Sequence, residues 1–251
     1  TCPALCSMRE EEILDTQPLV SEAARGADEY QCFWLRGLLP RKLVLVHKPF
    51  PVQSALVYVG DHPLEAWPAG TYYTDGSGGR FGSFPVLRRC GFAVATISCC
   101  GMHVRFRWGC FSPLPGDRQT VPRSELYAIL TVLRSVGTGN VEIVTDSKIC
   151  ADAYLAGRDH CSEAVNADLW CEAWRHVDRL GTVVVRWVKS HANSDHLAAG
   201  ILTFRDMCGN YCADALADRA AESAQIYPED AANYLSHVAL ASRVQMRAVA
   251  V

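Results

Sequence analysis

Apolar stretches of two kinds alternate along residues 71–226 and predict a sheet covered by helices. Short apolar runs bounded by turn residues predict five strands, which are TYYTDGS, CGFAVATISC, HVRFRWGC, VEIVTD and TVVVRWVKSH. The first three follow one another with only turns between them, so we expect an antiparallel meander. The last two are separated by helical segments, which predicts parallel strands. The pattern therefore indicates a five-stranded mixed sheet, with three antiparallel strands and then two parallel ones.

Apolar positions three and four residues apart predict the helices. The clearest helix lies in VPRSELYAILTVLRSV and has its apolar positions at Leu126, Ile129, Leu130 and Leu133. Three further helices are predicted in SKICADAYLAG, NADLWCEAWRHVDRLG and GNYCADALADRAAESA. The resulting element order, βββαβααβα, favours an α/β domain with helices flanking its sheet.

The two ends of the chain differ from this regular region. Residues 1–69 contain helical stretches and close on the Pro- and Gly-rich GDHPLEAWPAG, which is typical of a linker. Residues 227–251 begin with PED and continue as an apolar-rich helix. We therefore predict three parts: an N-terminal segment 1–69, a domain 70–226 and a C-terminal helix 227–251. The start at Thr1 rather than Met indicates a fragment or a processed piece of a longer protein.

Composition narrows the class of protein. The chain has 251 residues, of which 49% are hydrophobic and 20% charged, as in ordinary globular proteins. Its most apolar stretch, KLVLVHKPFPVQSALVYVG, is interrupted by charged residues and prolines, and the first 30 residues lack a signal-peptide pattern. We therefore expect an intracellular protein, cytoplasmic or nuclear, with no membrane partner. The net charge of −3 does not by itself indicate a nucleic-acid binder.

The twelve cysteines are spread over the whole chain rather than clustered. Several fall inside apolar strand or helix patterns, namely Cys99, Cys100, Cys150 and Cys171. This distribution predicts buried free thiols in a reducing compartment and argues against a disulfide scaffold.

Acidic residues recur at the ends of the predicted elements. Asp75 and Asp146 end two strands, Glu125 lies in the first turn of a helix, and Asp214 lies early in the last predicted helix of the domain. The first three of these acids along the chain each have an ordinary explanation when taken alone. An Asp-Gly turn would explain Asp75, a favourable helix dipole Glu125, and an N-cap Asp146.

Taken together, the four carboxylates indicate a metal site. Neighbouring parallel strands place their carboxyl ends side by side, so Asp75 and Asp146 meet if their strands are neighbours. Clustered carboxylates repel one another, and a hard divalent cation removes that repulsion. Oxygen ligands favour Mg²⁺ or Mn²⁺ over zinc.

Five motifs within residues 71–226 resemble those of type 1 ribonuclease H. They are YTDGSGG, RSELYAI, IVTDSK, VKSHA and GNYCADALA, in this order. The forms TVPRSELYAI and CFWLRGLLP are most similar to ribonuclease H domains of non-LTR retroelement polyproteins, where the domain follows a reverse transcriptase. The resemblance implies a ribonuclease H-like fold and a monomeric domain. It also implies hydrolysis of the RNA strand of RNA–DNA hybrids with two Mg²⁺ ions, for which Mn²⁺ can substitute.

The resemblance also implies roles for individual residues. The metal ligands would be Asp75, Glu125, Asp146 and Asp214. His191 would assist proton transfer or product departure from a mobile loop. Substrate contacts would come from Gly76, Ser77, Arg123, Ser147 and Lys189. The expected partners are an RNA–DNA hybrid and a covalently linked reverse transcriptase.

Three departures from the family pattern stand out. Val121 and Pro122 occupy positions where many members carry asparagines that touch the minor groove. The short GRDHCSEAV takes the place of a basic helical handle, and ANSDHLAAGILTFRDMC resembles an inserted flexible loop. Two alternative functions stay open, a free-standing cellular ribonuclease H and a catalytically inactive hybrid-binding domain.

Other residue sets suggest weaker hypotheses. A zinc site would use His191, His196, Cys208 and Cys212. A remnant cysteine knuckle would use Cys2, Cys6 and Cys32. A hybrid-binding sheet face would use Arg88, Arg89, Arg105, Arg107 and Trp108, although a solvated face explains these arginines equally well. Asp218 fits a solvated helix face better than a metal site.

Overall fold

The computed structural model describes residues 3–26, 29–100 and 103–250. They form two units, Phe50–Gln225 and Thr1–Pro49 with Ile226–Val251. The first unit begins upstream of the boundary that we placed near residue 69. The reason is a short strand before the Pro- and Gly-rich segment, which belongs to the sheet.

The unit Phe50–Gln225 is built around one mixed sheet. Its strands are Val57–Gly60 (β1), Gly70–Ser77 (β2), Gly91–Cys100 (β3), His103–Pro113 (β4), Val141–Thr145 (β5) and Val183–Trp187 (β6). The strand order is β1-β4-β3-β2-β5-β6, with antiparallel pairs as far as β2 and parallel pairs β2–β5 and β5–β6. The predicted α/β class with antiparallel and then parallel strands is confirmed.

The prediction of five strands was wrong, because β1 adds a sixth beside β4. The register runs from Val57 opposite Phe111 to Gly60 opposite Trp108. With only four residues, β1 is too short to give a clear alternating pattern. Tyr58 packs its ring near that of Trp108, with centroids 6.3 Å apart, and this contact anchors the strand to the core.

Helices cover both faces of the sheet. Within this unit they are Val121–Ser135 (α4), Lys148–Ala156 (α5), Arg158–Glu163 (α6), Ala167–Val177 (α7), Ser194–Ala198 (α8) and Phe204–Ser223 (α9). Successive strand residues point to opposite faces, so Tyr72 packs into the core under α4, α5 and α7, whereas Tyr73 packs into the core under α9. Trp108, 2% exposed, belongs to the same core as Tyr72.

The predicted flexible insertion between His191 and Asp214 is largely helical. Asn193 caps α8 and forms a capping box with His196. Thr203 caps α9, and its hydroxyl accepts a hydrogen bond from the Asp206 backbone nitrogen at 3.0 Å. These caps start both helices upstream of the GNYC segment, where we had expected the last helix of the domain to begin.

A charged network fastens the first turn of α9 to the sheet. Asp206, 5% exposed, accepts two hydrogen bonds from Arg186 at 2.9 and 3.2 Å and a third from the Tyr73 hydroxyl at 3.3 Å. Arg186 also donates to Glu142 at 3.0 Å. Because β2, β5 and β6 all contribute, the network fixes where α9, and with it Asp214, sits against the sheet.

We expect Arg186→Met to lower the free energy of unfolding by about 2 kcal/mol. Asp206 would keep its burial and lose its ionic partner, and the half-exposed Arg186 places the loss below the roughly 3–5 kcal/mol of fully buried pairs. Urea unfolding measures the change. Arg158→Met is the matched control, because its pair with Asp178 is exposed and worth about 0–1 kcal/mol. Equal losses in both variants would contradict this role for the network.

The second unit is helical. Its helices are Pro3–Asp15 (α1), Pro18–Gly26 (α2), Gln31–Arg36 (α3), the 3₁₀ turn Arg41–Val44 and Pro228–Ala250 (α10). The predicted C-terminal helix, α10, lies against the N-terminal elements. Asp230 accepts hydrogen bonds from the His47 backbone nitrogen and imidazole at 2.9 and 2.8 Å, and Arg247 donates to the Ile13 carbonyl at 3.0 Å. In the part of the chain described, no helix combines the length and apolarity that a membrane crossing requires.

The cysteine side chains that the structure describes are free thiols. Cys150 is buried, as predicted, but Cys99 and Cys171 are exposed. Cys171 lies on the outer face of the amphipathic α7, and Cys99 lies near the far end of the β3–β4 hairpin. The Cys100 side chain lies outside the described residues.

Candidate active site

Two acidic residues meet at the carboxyl ends of β2 and β5. These strands are parallel neighbours, with Thr74 opposite Thr145, so the following residues Asp75 and Asp146 are adjacent. Both threonines are completely buried, which holds the two strand ends in a rigid part of the sheet. Asp146 accepts a hydrogen bond from the Asn210 amide at 3.3 Å, and its backbone carbonyl accepts one from the Trp187 indole at 3.0 Å.

Helix α4 delivers Glu125 to the same place. A Cβ atom built on Gly76 would lie 2.4 Å from the Glu125 backbone nitrogen and 2.6 Å from the Ser124 hydroxyl oxygen. These separations are far below van der Waals contact. The absence of a side chain at Gly76 is therefore what allows the start of α4 to approach β2, and it brings Glu125 beside Asp75.

The three carboxylates form one compact cluster. Asp75, Glu125 and Asp146 each offer an oxygen atom that lies within 4.8 Å of the others. Asp75 is 5% exposed and Glu125 is 6% exposed. Glu125 Oε2 is buried without a hydrogen-bond partner. An unpartnered buried carboxylate oxygen is costly in a folded protein, and its presence here indicates a site suited to a cation.

The pKa values of Asp75 and Glu125 are raised by their burial and by the neighbouring acids. Burial raises the pKa of Asp75 well above its ordinary value, and the charges of Asp146 and Asp214 raise it further. Burial also raises the pKa of Glu125 well above its ordinary value, with Asp75 and Asp146 adding to the effect. In both cases a backbone hydrogen bond from Gly76 acts in the opposite direction. The charged forms of these acids are therefore unfavourable without a counter-ion.

Asp214 and His191 lie at the rim of the cluster. Both line a cleft of about 440 Å³ together with the three clustered acids. Burial and the charge of Asp218 raise the pKa of Asp214. The interaction with His191 acts in the opposite direction and lowers the pKa of Asp214. His191 is exposed and has a left-handed backbone with φ of 46°, which is uncommon for a residue other than glycine.

The donor set of the cleft fits a hard divalent cation. Its lining contains five carboxylates, and His191 is the only basic side chain among the described lining residues. Carboxylate oxygens are the ligands that Mg²⁺ and Mn²⁺ prefer. Asp75, Glu125 and Asp146 would hold such an ion, with Asp214 within the same cleft. The chemistry of the residues agrees with the metal site that the sequence indicated.

The predicted substrate-binding residues are placed differently from one another. Gly76 and Ser77 line the cleft, and Lys189 lines a neighbouring cavity. Ser147 precedes α5 at its N-cap position. Arg123 is not brought to the cleft, because Asp168 accepts two hydrogen bonds from its guanidinium at 2.6 and 3.0 Å. This pair directs Arg123 towards α7 instead.

Two residues of the site were missed from the sequence. Asp218 is exposed, as the interpretation of a solvated helix face expected, but it also lines the cleft and accepts a 2.6 Å hydrogen bond from the Ser77 hydroxyl. It lies one helical turn after Asp214, and this i,i+4 spacing was the signal for a shared face. Asn210, which contacts Asp146, lies one turn before Asp214 and could have been found in the same way.

The three weaker hypotheses from the sequence concern a zinc site, a cysteine knuckle and a hybrid-binding sheet face. Over the described ranges, only the three clustered acids form a group suited to a metal ion, so the zinc set is not assembled. The knuckle hypothesis depends on Cys2 and on the Cys6 side chain, which lie outside the described residues. Of the proposed hybrid-binding face, Arg89 and Trp108 are both 2% exposed and were wrongly placed on the surface. Arg89 packs on Phe50, 4.4 Å from the ring centre, as part of the core boundary.

We expect Glu125→Gln to raise the stability of the metal-free protein by roughly 1–3 kcal/mol at pH 8. The raised pKa of Glu125 means that its charged form is a cost to the fold, absent below the ordinary pKa of a glutamate and complete above the raised one. The gain of the variant should therefore shrink from pH 8 to pH 5. Thermal unfolding in EDTA measures it, with the exposed Glu163→Gln as control. A gain that grows on acidification would contradict the sign.

The sequence profile of one family accounts for most of this domain. The RNase H profile matches residues 68–222. The chain belongs to the RNase H family. As a member it is a ribonuclease H enzyme, a nuclease of the hydrolase class, and its acidic cluster occupies the ends of β2, β5 and the start of α4. No curated protein matches the chain.

Several solved structures are similar to this RNase H chain. The PFV RNase H domain is 17% identical, with 61% of this chain and 94% of that chain covered and a TM-score of 0.47. RNase H1 from Halobacterium salinarum is 16% identical, with coverage of 61% and 97% and a TM-score of 0.42. The foamy viral protease-reverse transcriptase, solved with an RNA/DNA hybrid, is 18% identical with a TM-score of 0.43. The match covers 66% of this chain and 22% of that longer one.

Proposed function

We propose that this domain hydrolyses the RNA strand of RNA–DNA hybrids with divalent cations held by its carboxylates. The observation that carries the proposal is the buried cluster of Asp75, Glu125 and Asp146, in which Glu125 Oε2 has no partner. Membership of the RNase H family supplies the substrate class. The expected ions are two Mg²⁺, with Mn²⁺ as a substitute.

Each residue of the cleft has a part in this proposal. Asp75, Glu125 and Asp146 hold the cations, and Asp214 contributes from the facing helix α9. Bound divalent cations supply charge neutralisation at a phosphodiester and activation of water. The exposed imidazole of His191 borders the cleft, where a ring nitrogen can give a proton to the leaving oxygen of the RNA strand.

Bare backbone beside the acids suits recognition of RNA. Gly76 and Gly78 line the cleft on either side of Ser77, so peptide groups there can approach a sugar closely. RNA is distinguished from DNA by its 2′-hydroxyls, which are displayed in the wide minor groove of the hybrid. We assign the discrimination against DNA to this Gly76–Gly78 segment.

Two motif forms support a proposal for the source of the domain. TVPRSELYAI and CFWLRGLLP support a type 1 ribonuclease H from a non-LTR retroelement polyprotein. In that setting a linked reverse transcriptase contributes to binding of the hybrid. This contribution would compensate for the short GRDHCSEAV segment, which takes the place of a basic handle. Cleavage would then remove the RNA template after it has been copied into DNA.

Hydrolysis of an end-labelled hybrid tests the proposal. With Mg²⁺, the chain should cleave the RNA strand of the hybrid and leave single-stranded RNA and duplex DNA intact. EDTA should abolish cleavage, and Mn²⁺ should restore it. Binding of the hybrid without cleavage in either metal would favour the inactive hybrid-binding alternative. Equal cleavage of single-stranded RNA would contradict the proposed substrate.

Hybrid affinity should fall steeply with salt. Nucleic-acid binding through phosphates releases counter-ions, so the logarithm of the binding constant falls linearly with the logarithm of salt concentration. For four phosphate contacts, we expect a loss of about 150-fold between 50 and 200 mM salt. Fluorescence anisotropy with Ca²⁺, in the absence of cleavage, measures this slope. A flat response would contradict binding along the phosphate backbone.

A further inference from the structure

A second cavity lies beside the catalytic cleft. It has a volume of about 440 Å³. It is bounded by the last part of β3, the first part of β4 and the first half of α9. Its apolar walls come from the hairpin residues Ile97, Val104 and Phe106 and from the α9 residues Met207, Cys208 and Cys212. A cavity of this volume lies within the roughly 300–1,000 Å³ range of small-molecule sites.

The wall chemistry favours a flat, polarisable ligand. Phe106 and Tyr211 offer aromatic surfaces at this cavity, and Tyr211 is 70% exposed at its rim. The Met207 thioether favours the edge of an aromatic ring, and the thiols of Cys208 and Cys212 add small apolar surface to the lining. An aromatic ring system therefore matches this lining better than an aliphatic chain or a sugar.

The polar groups of the cavity define the rest of the ligand. The ammonium of Lys189 and the imidazole of His191 can donate hydrogen bonds to an anionic group, whereas the Asp214 carboxylate lines the cavity where it borders the catalytic cleft. Asn210, also a lining residue, is 7% exposed, and its Oδ1 is buried with no hydrogen-bond partner. The amide nitrogen of Asn210 already donates to Asp146, so the free oxygen calls for a donor from a ligand.

The cavity and the catalytic cleft share two side chains. His191 and Asp214 line both spaces, and Asn210 connects the cavity to Asp146. A molecule in the cavity would therefore touch the side chain that we assign to proton transfer. It would do so from the α9 side of the sheet, without displacing the three clustered acids.

We propose that this cavity binds a small planar aromatic anion that carries an N–H or O–H donor, and that its occupancy slows cleavage through His191. The ring system packs between the β3–β4 hairpin and α9, the anion faces Lys189 and His191, and the donor reaches Asn210. The effect on cleavage rests on the proposed function, whereas the binding itself does not.

Binding of 1-anilinonaphthalene-8-sulfonate tests the site, because this probe combines aromatic rings, an anion and an N–H donor. In EDTA and without nucleic acid, we expect saturable binding at one site per chain. Cys208→Trp fills the cavity and should weaken binding at least tenfold, and Lys189→Met should also weaken it. Cys171→Trp, at an exposed cysteine of α7, is the matched control and should bind as the wild type does.

Circular dichroism first establishes that each variant is folded. If Cys208→Trp does not fold, Val104→Trp fills the same cavity from the hairpin side. Wild-type affinity in a folded cavity-filling variant would overturn the site, since the probe would then be bound elsewhere as an adventitious additive only. Loss of binding in Cys171→Trp would overturn it as well.

A cleavage assay tests the second half of the proposal. At a saturating probe concentration, hydrolysis of the hybrid by the wild type should slow at least tenfold relative to the rate without probe. Adding the probe should not change the rate of Cys208→Trp relative to that variant's own rate without probe. Unchanged wild-type cleavage with the site occupied would overturn the coupling to His191. If no chain cleaves the hybrid even without the probe, the proposed function fails, and the binding measurement still decides whether the cavity is a site.

Discussion

Asp75→Asn is expected to lower the rate of hybrid cleavage by at least about a thousandfold, more than the roughly 10–100-fold cost of changes around a metal ligand. Asp75 has a carboxylate oxygen within 4.8 Å of one from Glu125 and one from Asp146, so its charge contributes to the binding of a cation there. The amide has nearly the shape of the acid but supplies no negative charge. Single-turnover cleavage of a labelled hybrid in saturating Mg²⁺ measures the loss.

The same change should make the metal-free protein more stable. Burial and neighbouring charges raise the pKa of Asp75, so removing its charge relieves repulsion with Asp146 and Asp214. Opposite effects on activity and stability distinguish a metal-ligand role from a structural one. Asp152→Asn is the matched control, because Asp152 is exposed and its ion pair is with the exposed Lys148, and it should leave both quantities unchanged. A destabilised and partly active Asp75→Asn would contradict the metal-ligand role.

The sequence could predict where the acids meet because their placement follows from local patterns. Apolar runs locate β2 and β5, helices between strands imply parallel pairing, and parallel neighbours bring Asp75 and Asp146 together. Glu125 follows from the strong apolar spacing of α4. These inferences need only strand order and element ends, which periodicity and turn residues determine.

Other features could not be predicted because they depend on contacts between distant segments. We predicted that Arg123 contacts the substrate, and nothing in the sequence indicated its hydrogen bond to Asp168. Asp168 is 45 residues away along the chain, and this bond turns the guanidinium towards α7.

The position of α9 against the sheet depends on the network of Asp206 with Arg186 and Tyr73, from separate strands. No periodicity marks such pairs, so this network was missed. The start of α9 did carry a local signal, because the capping Thr203 is followed three residues later by Asp206.

The position of Glu125 also depends on the close approach of its backbone to Gly76, which sequence patterns do not indicate. The variant Gly76→Ala tests this dependence. The added methyl would lie 2.4 Å from the Glu125 backbone nitrogen, and backbone cannot move aside as the end of a flexible side chain can. The start of α4 must therefore shift away from β2. We expect a stability loss of about 1–3 kcal/mol from overpacking. Because a shift of about 1 Å at a reacting group can cost roughly a hundredfold, cleavage should fall by about that factor.

Gly82→Ala is the matched control for this prediction, because a methyl there would meet its nearest neighbour, the Gly79 carbonyl oxygen, at 3.3 Å. That contact needs only a small adjustment, so stability and cleavage should stay close to wild type. The Gly76 variant should also bind Mg²⁺ more weakly, as measured by calorimetry, since Glu125 moves relative to Asp75 and Asp146. Full cleavage and unchanged Mg²⁺ affinity in Gly76→Ala would show that the cluster does not depend on this close approach of helix and strand.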